Sequence, residues 1–293
     1  MQALEQIRQW PVRHAAAGVV TARGIVATEG DDTRVYALAS VTKPLVAYAV
    51  LIAVEEGAIE LDQPAGPPGS TVRHLLAHTS GLAFDTNVIL AEPGAKRIYS
   101  SSGFEVLAQF LTDQTGIAFP DYLREAVFEP LGMKSSVLAG SAGHAARCSL
   151  ADLLAFAGEL VNPALVTAET LAAATTVQFP GVNGVLPGYG SQRPNDWGLG
   201  FELRDHKTPH WTGSANSPGT YGHFGQSGTF LWVDPILGVA CVALSDENFG
   251  DWARAAWPTF SDAVIAEIRR RTDRPEHTAK SNTRNSGHSR KLV

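Results

Sequence analysis

The chain is expected to fold as an α+β protein: one antiparallel sheet built from both chain ends, flanked by helices, with a mostly helical lobe inserted between. Three patterns predict this. Short β-branched or apolar runs lie within residues 15–38 and recur from Trp197 to Leu244. The stretch between, roughly 60–176, has helical spacing. Two further helical patterns, 41–56 and 252–270, supply cover for the sheet. The expected division is a sheet lobe of 1–59 and 196–270, a helical lobe of 60–195, and a disordered basic tail of 271–293.

Residues 1–10 suit a short helix. Ala15 to Ala27 reads as two short antiparallel strands, Gly30-Asp31-Asp32 as a turn, and Val35 to Leu38 as a further extended segment. The long apolar helix of 41–56 follows, with Ser40 placed as its N-cap, Pro44 in its first turn and Gly57 as its stop. Asp62 to Gly69 is a Pro/Gly-rich loop, and Ser70 is expected to cap a short helix over 71–77. Helices are expected at Phe104 to Thr115, Phe119 to Phe128, Leu153 to Leu160 (behind the capping-box spacing Ser149 to Asp152) and Ala168 to Thr175. Phe179 to Asn195, full of Gly and Pro, reads as a long loop of a size that is often functional. Strands are expected at 198–203, 229–233 and 238–244, and a last helix over 252–270.

A length of 293 residues with 44% hydrophobic content allows one large core or two modest ones. No apolar run approaches the length of a membrane span. Met1 to Gln6 has neither a basic nor an apolar leader region, so a cytoplasmic location is expected. Cys148 and Cys241 are read as buried free thiols. From Arg269 onward eight Lys/Arg face two Asp/Glu, so the basic charge is gathered in the tail, which reads as solubilising and not as a nucleic-acid binder.

Ser40 and Lys43 lie three residues apart at a helix tip, on one face of its first turn. A serine hydroxyl needs a base to become a nucleophile. A lysine there can be that base, since the helix N-terminus and burial both disfavour its cation. Alone, this spacing also fits a capping serine beside a solvated lysine, and it arises by chance about once in a chain this long.

Further segments accompany it in order: His74-Leu-Leu-Ala-His-Thr-Ser-Gly-Leu82, Pro93-Gly94 ahead of Tyr99-Ser-Ser101, Pro130-Leu-Gly-Met133, and Gly222-His-Phe-Gly225. With Ser40-Val-Thr-Lys43, this set resembles the serine β-lactamase, DD-peptidase and esterase superfamily, in its class C-like branch, over about residues 15–270. The resemblance implies a β-lactamase/transpeptidase-like fold and an acyl-enzyme on Ser40, with Lys43 and Tyr99 shuttling its proton. It implies an oxyanion hole from the backbone N–H of Ser40 and Gln226, and a third motif on the sheet's edge strand. His223, Gly225, Ser101 and Trp197 are expected on the substrate side. Near an ammonium, the Tyr99 hydroxyl is expected to have a depressed pKa.

Two departures from the family pattern bear on the substrate. Ser101 stands where an asparagine is usual, which removes an amide, although its hydroxyl can still accept from Lys43. His223 stands where a lysine is usual, which removes a permanent cation that would pair with a substrate carboxylate. Both weaken the case for a β-lactam or DD-peptide and favour a neutral ester or amide, with small carboxylic esters as the leading expectation and a β-lactam or D-amino-acid amide as the alternative. A catalytically silent binding protein of the same fold is the rival from another class. No cofactor, metal, nucleic acid or membrane is called for, and the oligomeric state stays open. His74 and His78 have i, i+4 metal-ligand spacing but no evident third ligand, so they are read as structural. Tyr189-Gly-Ser191 is a second Tyr-x-Ser, set aside in favour of Tyr99. Arg147, Asp196 and Asp246 receive no role.

Overall fold

A computed structural model of the chain describes residues 1–272. A 3₁₀ helix, Gln2–Gln9, leads into β1 (Ala15–Thr21) and β2 (Gly24–Glu29), then β3 (Val35–Ala37) and α1 (Thr42–Glu55). The middle of the chain holds α2 (Val72–Leu76), α3 (Ser101–Thr115), α4 (Phe119–Leu123) with a π turn at Arg124–Phe128, β4 (Val137–Leu138), β5 (Ala146–Ser149), α5 (Leu150–Val161) and α6 (Ala168–Ala174). β6 (Gly184–Leu186) and β7 (Gly190–Gln192) follow, then β8 (Glu202–Leu203), β9 (Tyr221–Gly225), β10 (Thr229–Asp234), β11 (Val239–Ser245) and α7 (Asp251–Thr272).

The main sheet has the order β2-β1-β11-β10-β9-β8, with antiparallel neighbours, so both chain ends do build it. β11 is apolar from Val239 to Leu244 because both faces of the sheet are covered. Val239, Cys241 and Ala243 pack with α7 and the first 3₁₀ helix; Ala240, Val242 and Leu244 pack with α1 and α5. α7 fills its side with Trp257, Phe260 and Val264, all fully buried. Truncating Trp257 to alanine would cost about 3–5 kcal/mol.

On the other face the cover is shared. α5, which falls inside the expected helical lobe, lies directly on β1 and β11. Gly18 in β1 lets it approach, since a Cβ there would sit 2.6 Å from the Leu154 side chain. α1 is wrapped on all sides, with every residue from Thr42 to Ala53 buried, as expected of a helix without a polar face. Its N-terminal end therefore opens inside the molecule, at the join between the sheet and α3.

Several local expectations are corrected. Thr71, not Ser70, caps α2, because its hydroxyl accepts from the His74 N–H. α3 starts at Ser101, where the Ser100 hydroxyl accepts from Gly103 N–H. Ser149 caps α5 as its spacing suggests, but the Asp152 carboxylate turns outward to Ser135 N–H and the Ser136 hydroxyl. The expected loop 179–195 contains the β6–β7 hairpin, and the strand expected at 198–203 shortens to β8. β4 and β5 form a small sheet with β3 where no strand is expected. Cys148 and Cys241 are buried and free. The expected tail lies outside the described residues, apart from Arg271 and Thr272, which close α7. Among the described residues no helix is long and apolar enough to cross a membrane.

Candidate active site

Ser40 does not cap α1. It sits in a 3₁₀ turn, Ala39–Val41, and the capping position falls on Val41, which makes no side-chain cap bond. Ala39 is held at φ +45°, a left-handed conformation that costs an L-residue of order 1 kcal/mol or more. The turn is fastened from both sides. Ser227 Oγ donates to Ala37 O at 2.6 Å, Thr229 Oγ1 donates to Leu38 O at 2.8 Å, and Ala146 N–H donates to Thr42 Oγ1 at 2.9 Å. Gly225 makes the β9 side possible, because a Cβ there would overlap the Leu38 carbonyl oxygen. The strain thus places the Ser40 hydroxyl toward the cleft instead of on the helix backbone.

Lys43 is completely buried. Its Nζ donates to Gly143 O at 2.8 Å, Ser101 Oγ at 3.1 Å and Ser40 Oγ at 3.5 Å, and it lies 4.5 Å from the centroid of the Tyr99 ring. Burial lowers its pKa to about 7, while Glu105 pulls weakly the other way. The neutral amine is therefore accessible near neutral pH. Gly143 was not singled out from sequence, yet its carbonyl is the nearest acceptor of the amine. Its loop closes on the start of α3 because it has no side chain; a Cβ would lie 2.8 Å from that of Ser101. Glu105 holds that loop through Gly143 N–H and the Ser141 hydroxyl.

Tyr99 arrives on the segment ahead of α3. Its O–H lies 3.5 Å from Nε2 of His223 in β9. His223 Nδ1–H donates to the Phe224 carbonyl at 2.6 Å, which leaves Nε2 as the acceptor for the phenol. Burial, then the charge of Lys43, lowers the His223 pKa to about 3, so the ring is neutral at working pH. The Tyr99 pKa is corrected: burial pushes it up, and the Ser40 hydroxyl offsets this only in part, so a phenolate is not preformed. β9 is likewise not the outermost strand. β8 lies outside it but pairs only with Tyr221 and Gly222, which leaves His223 to Gly225 facing the Ser40 turn.

His78, read from sequence as structural, supports Tyr99. Its ring lies tilted against that of Tyr99, centroids 4.7 Å apart, and its Nδ1 accepts from Ser100 N–H. His74 bonds Thr71, so the two histidines point into separate local contacts. Trp197 is buried edge-on to His78, and its rings lie 5.8 Å from Tyr99 and 5.5 Å from His223. Tyr189, in the β6–β7 turn, packs instead with Phe224 and Phe249.

These groups surround a cavity of about 300 Å³ whose walls include Ser40, Tyr99, Trp197, His223 and Gln226. Ser101 lies behind Lys43, and Gly225 behind the Ser40 turn. Leu186 and Pro187, from the hairpin expected as loop, form part of the wall. So does Glu202, which sequence reasoning missed. Its carboxylate is buried against Lys207, His210 Nε2 at 2.9 Å and Trp211 Nε1 at 2.8 Å. Burial raises its pKa, but His210 and Lys207 together outweigh that and hold it at about 2. The motif-based reading had no signal for it, since its partners come from an irregular stretch. Asp196, left without a role, has its pKa raised by burial, and its backbone carbonyl accepts from Lys207. Asp246 accepts from Arg13 N–H, His14 N–H and the His14 ring, away from this cavity.

A helix-tip hydroxyl beside a titratable amine, facing a phenol and a neutral imidazole, suits acyl transfer. The crystal structure of a β-lactamase from Mycobacterium bovis is 60% identical and superposes with a TM-score of 0.90, covering 91% of this chain and 99% of that one. Penicillin-binding protein 4* of Bacillus subtilis is 27% identical over 134 residues, 34% of this chain and 30% of that protein. Esterase EstB of Burkholderia gladioli is 43% identical over 68 residues, 18% of this chain and 17% of that protein. The chain thus matches about a third or less of the length of these two relatives. The Beta-lactamase family model matches residues 8–264, nearly the whole described chain, and the protein belongs to that family of serine hydrolases.

Proposed function

We propose that this protein hydrolyses neutral carboxylic esters through an acyl-enzyme on Ser40. Neutral Lys43 accepts the Ser40 proton as Oγ attacks the ester carbonyl. The oxyanion is held by the N–H groups of Ser40 and Gln226, which both border the cavity. Collapse expels the alkoxide, which takes up a proton from the Tyr99 phenol as the Lys43 ammonium returns its own to that oxygen, while Ser40 Oγ stays bound to the acyl carbon. Water then adds to the acyl carbonyl, giving its proton to the same amine, and the acid leaves with Ser40 restored. Tyr99 stays protonated and is steered by His223 Nε2.

The observation that carries the ester reading is the charge of the wall. Among the residues lining the cavity there is no lysine or arginine, and the one acidic residue, Glu202, has its carboxylate already paired with Lys207. An anionic substrate would be desolvated there with no cation to meet it. The second reading, hydrolysis of a β-lactam or D-amino-acid amide, is favoured by the naming of the Mycobacterium bovis structure as a β-lactamase. Turnover of a p-nitrophenyl short-chain ester set against a chromogenic cephalosporin separates the two. Faster ester turnover is expected; faster cephalosporin turnover would reverse the order.

A further inference from the structure

The cavity at Ser40 does not end at its own walls. A second cavity of about 470 Å³ adjoins it, and the two share Phe84, Tyr99 and Pro187. Beyond the shared residues its walls are Ile98, Val185 and Gly184, with Lys96, Arg97 and Asn183 as the polar ones. The rim is mostly apolar and open to solvent: Phe84 is 54% exposed and Val185 59%, with Lys96 at its solvent edge. Scattered apolar residues on a surface need no account, but a contiguous patch at the mouth of a site does.

This rim is built, not frayed. Ala83 N–H donates to Val88 O at 2.9 Å and Leu90 N–H to Gly81 O at 2.8 Å, so residues 81–90 form a closed hairpin-like loop. The Phe84 carbonyl accepts from Ser101 N–H at 2.7 Å and Ser102 N–H at 3.1 Å, which fixes it on the first turn of α3. The Phe84 ring is stacked on Tyr99, centroids 5.9 Å apart. On the opposite bank, Arg97 N–H donates to Asn183 O, and Gly184 bridges Arg97. The Arg97 guanidinium is committed to the carbonyls of Ala77, Gln178, Phe179 and Asn195, so it is not free to pair with a ligand.

We infer that the two cavities are one trough for an apolar acyl chain, longer than a small ester carries, running from Ser40 beneath Phe84 and past Pro187 to Val185. This rests on the acyl-enzyme reading above and names its substrate class: esters of medium-length, uncharged fatty or arylalkyl acids. The acyl half is the occupant because it alone is present in both acylation and deacylation. Holding it aligns the carbonyl at Ser40 in both steps.

The test is a series of p-nitrophenyl esters from acetate to decanoate, each below its aggregation concentration, on wild type and Val185→Asp. In wild type kcat/KM should rise about threefold to fourfold per methylene over the first additions, then level off as the trough fills. Val185→Asp should lower the octanoate-to-acetate ratio at least tenfold. A flat series with Ser40-dependent acetate turnover would overturn the trough and leave the hydrolase reading intact. So would a length dependence seen only on the alcohol side, or a rate that appears only once the ester aggregates, which marks a lipid-surface contact. If no ester is turned over, titration of octanamide into Ser40→Ala decides the matter without catalysis. Saturable binding weakened by Val185→Asp supports the trough, and absence of binding overturns it.

Discussion

The phenol oxygen of Tyr99 lies 3.5 Å from Nε2 of His223, while Nδ1 of the same ring donates to the Phe224 carbonyl. The backbone of β9 therefore sets the imidazole tautomer, and the tautomer sets which way the phenol proton points. A permanent cation at this position would repel Lys43 and attract carboxylates. A neutral imidazole does neither.

Coupling between these two residues follows. Tyr99→Phe should lower kcat for a p-nitrophenyl ester by about 10²–10⁴-fold. His223→Ala should lower it less, and the double variant should be no slower than Tyr99→Phe, because the histidine acts through the phenol. A cycle in which the two losses multiply would separate them.

The amine of Lys43 sets the pH response. Its pKa of about 7 places the rise of kcat/KM near pH 7. His223 titrates far below that and Tyr99 far above, so neither should add a limb between pH 5 and 9. A stopped-time assay of a neutral ester across that range reads this directly, and a flat profile would remove Lys43 as the base.

Stability should carry the same signature. The folded pKa of Lys43 lies below the ordinary 10.5, so the unfolded chain holds more protons between those values. Folding should thus gain stability as pH rises from about 7 toward 10, and the full cost of burying the cation should remain below 7. Urea titrations at pH 7, 8 and 9 should show this gain in wild type relative to Lys43→Met. Parallel pH dependence in the two proteins would contradict it.

Gly225 tests the placement of the nucleophile without touching a side chain of the cluster. Its missing Cβ lets β9 lie against Leu38, two residues before Ser40. Gly225→Ala should force the Ser40 turn away, lowering kcat by about 10²-fold and stability by about 1–3 kcal/mol. Activity assays with thermal unfolding check both; wild-type kcat would show that the turn is not positioned from that side.

Much of this arrangement was legible in the chain. The periodicity of 41–56 and 252–270 and the apolar runs at both ends carry their own instructions, because burial of a continuous face needs a regular spacing. The spacing from Ser40 to Lys43 could be read from the same helix pattern, whereas Tyr99 is pointed to only by the family resemblance. What stayed hidden depends on contacts between distant segments. Gly143 lies in a stretch without periodicity and its partner is 100 residues away, while Glu202, though on an expected strand, finds its partners in an irregular turn. The β6–β7 hairpin is three residues per strand and is held partly by the bridge to Arg97, a contact no local pattern announces. The phenolate expectation for Tyr99 failed because proximity to an ammonium was weighed without the burial that opposes it.

The central claim is that a single hydroxyl, at residue 40, carries the acyl group. A fluorophosphonate probe followed by intact-mass measurement tests it most directly. Wild type should gain the mass of one phosphonyl group and Ser40→Ala should gain none. A wild-type protein left unmodified, or an adduct that persists in Ser40→Ala, would contradict the account.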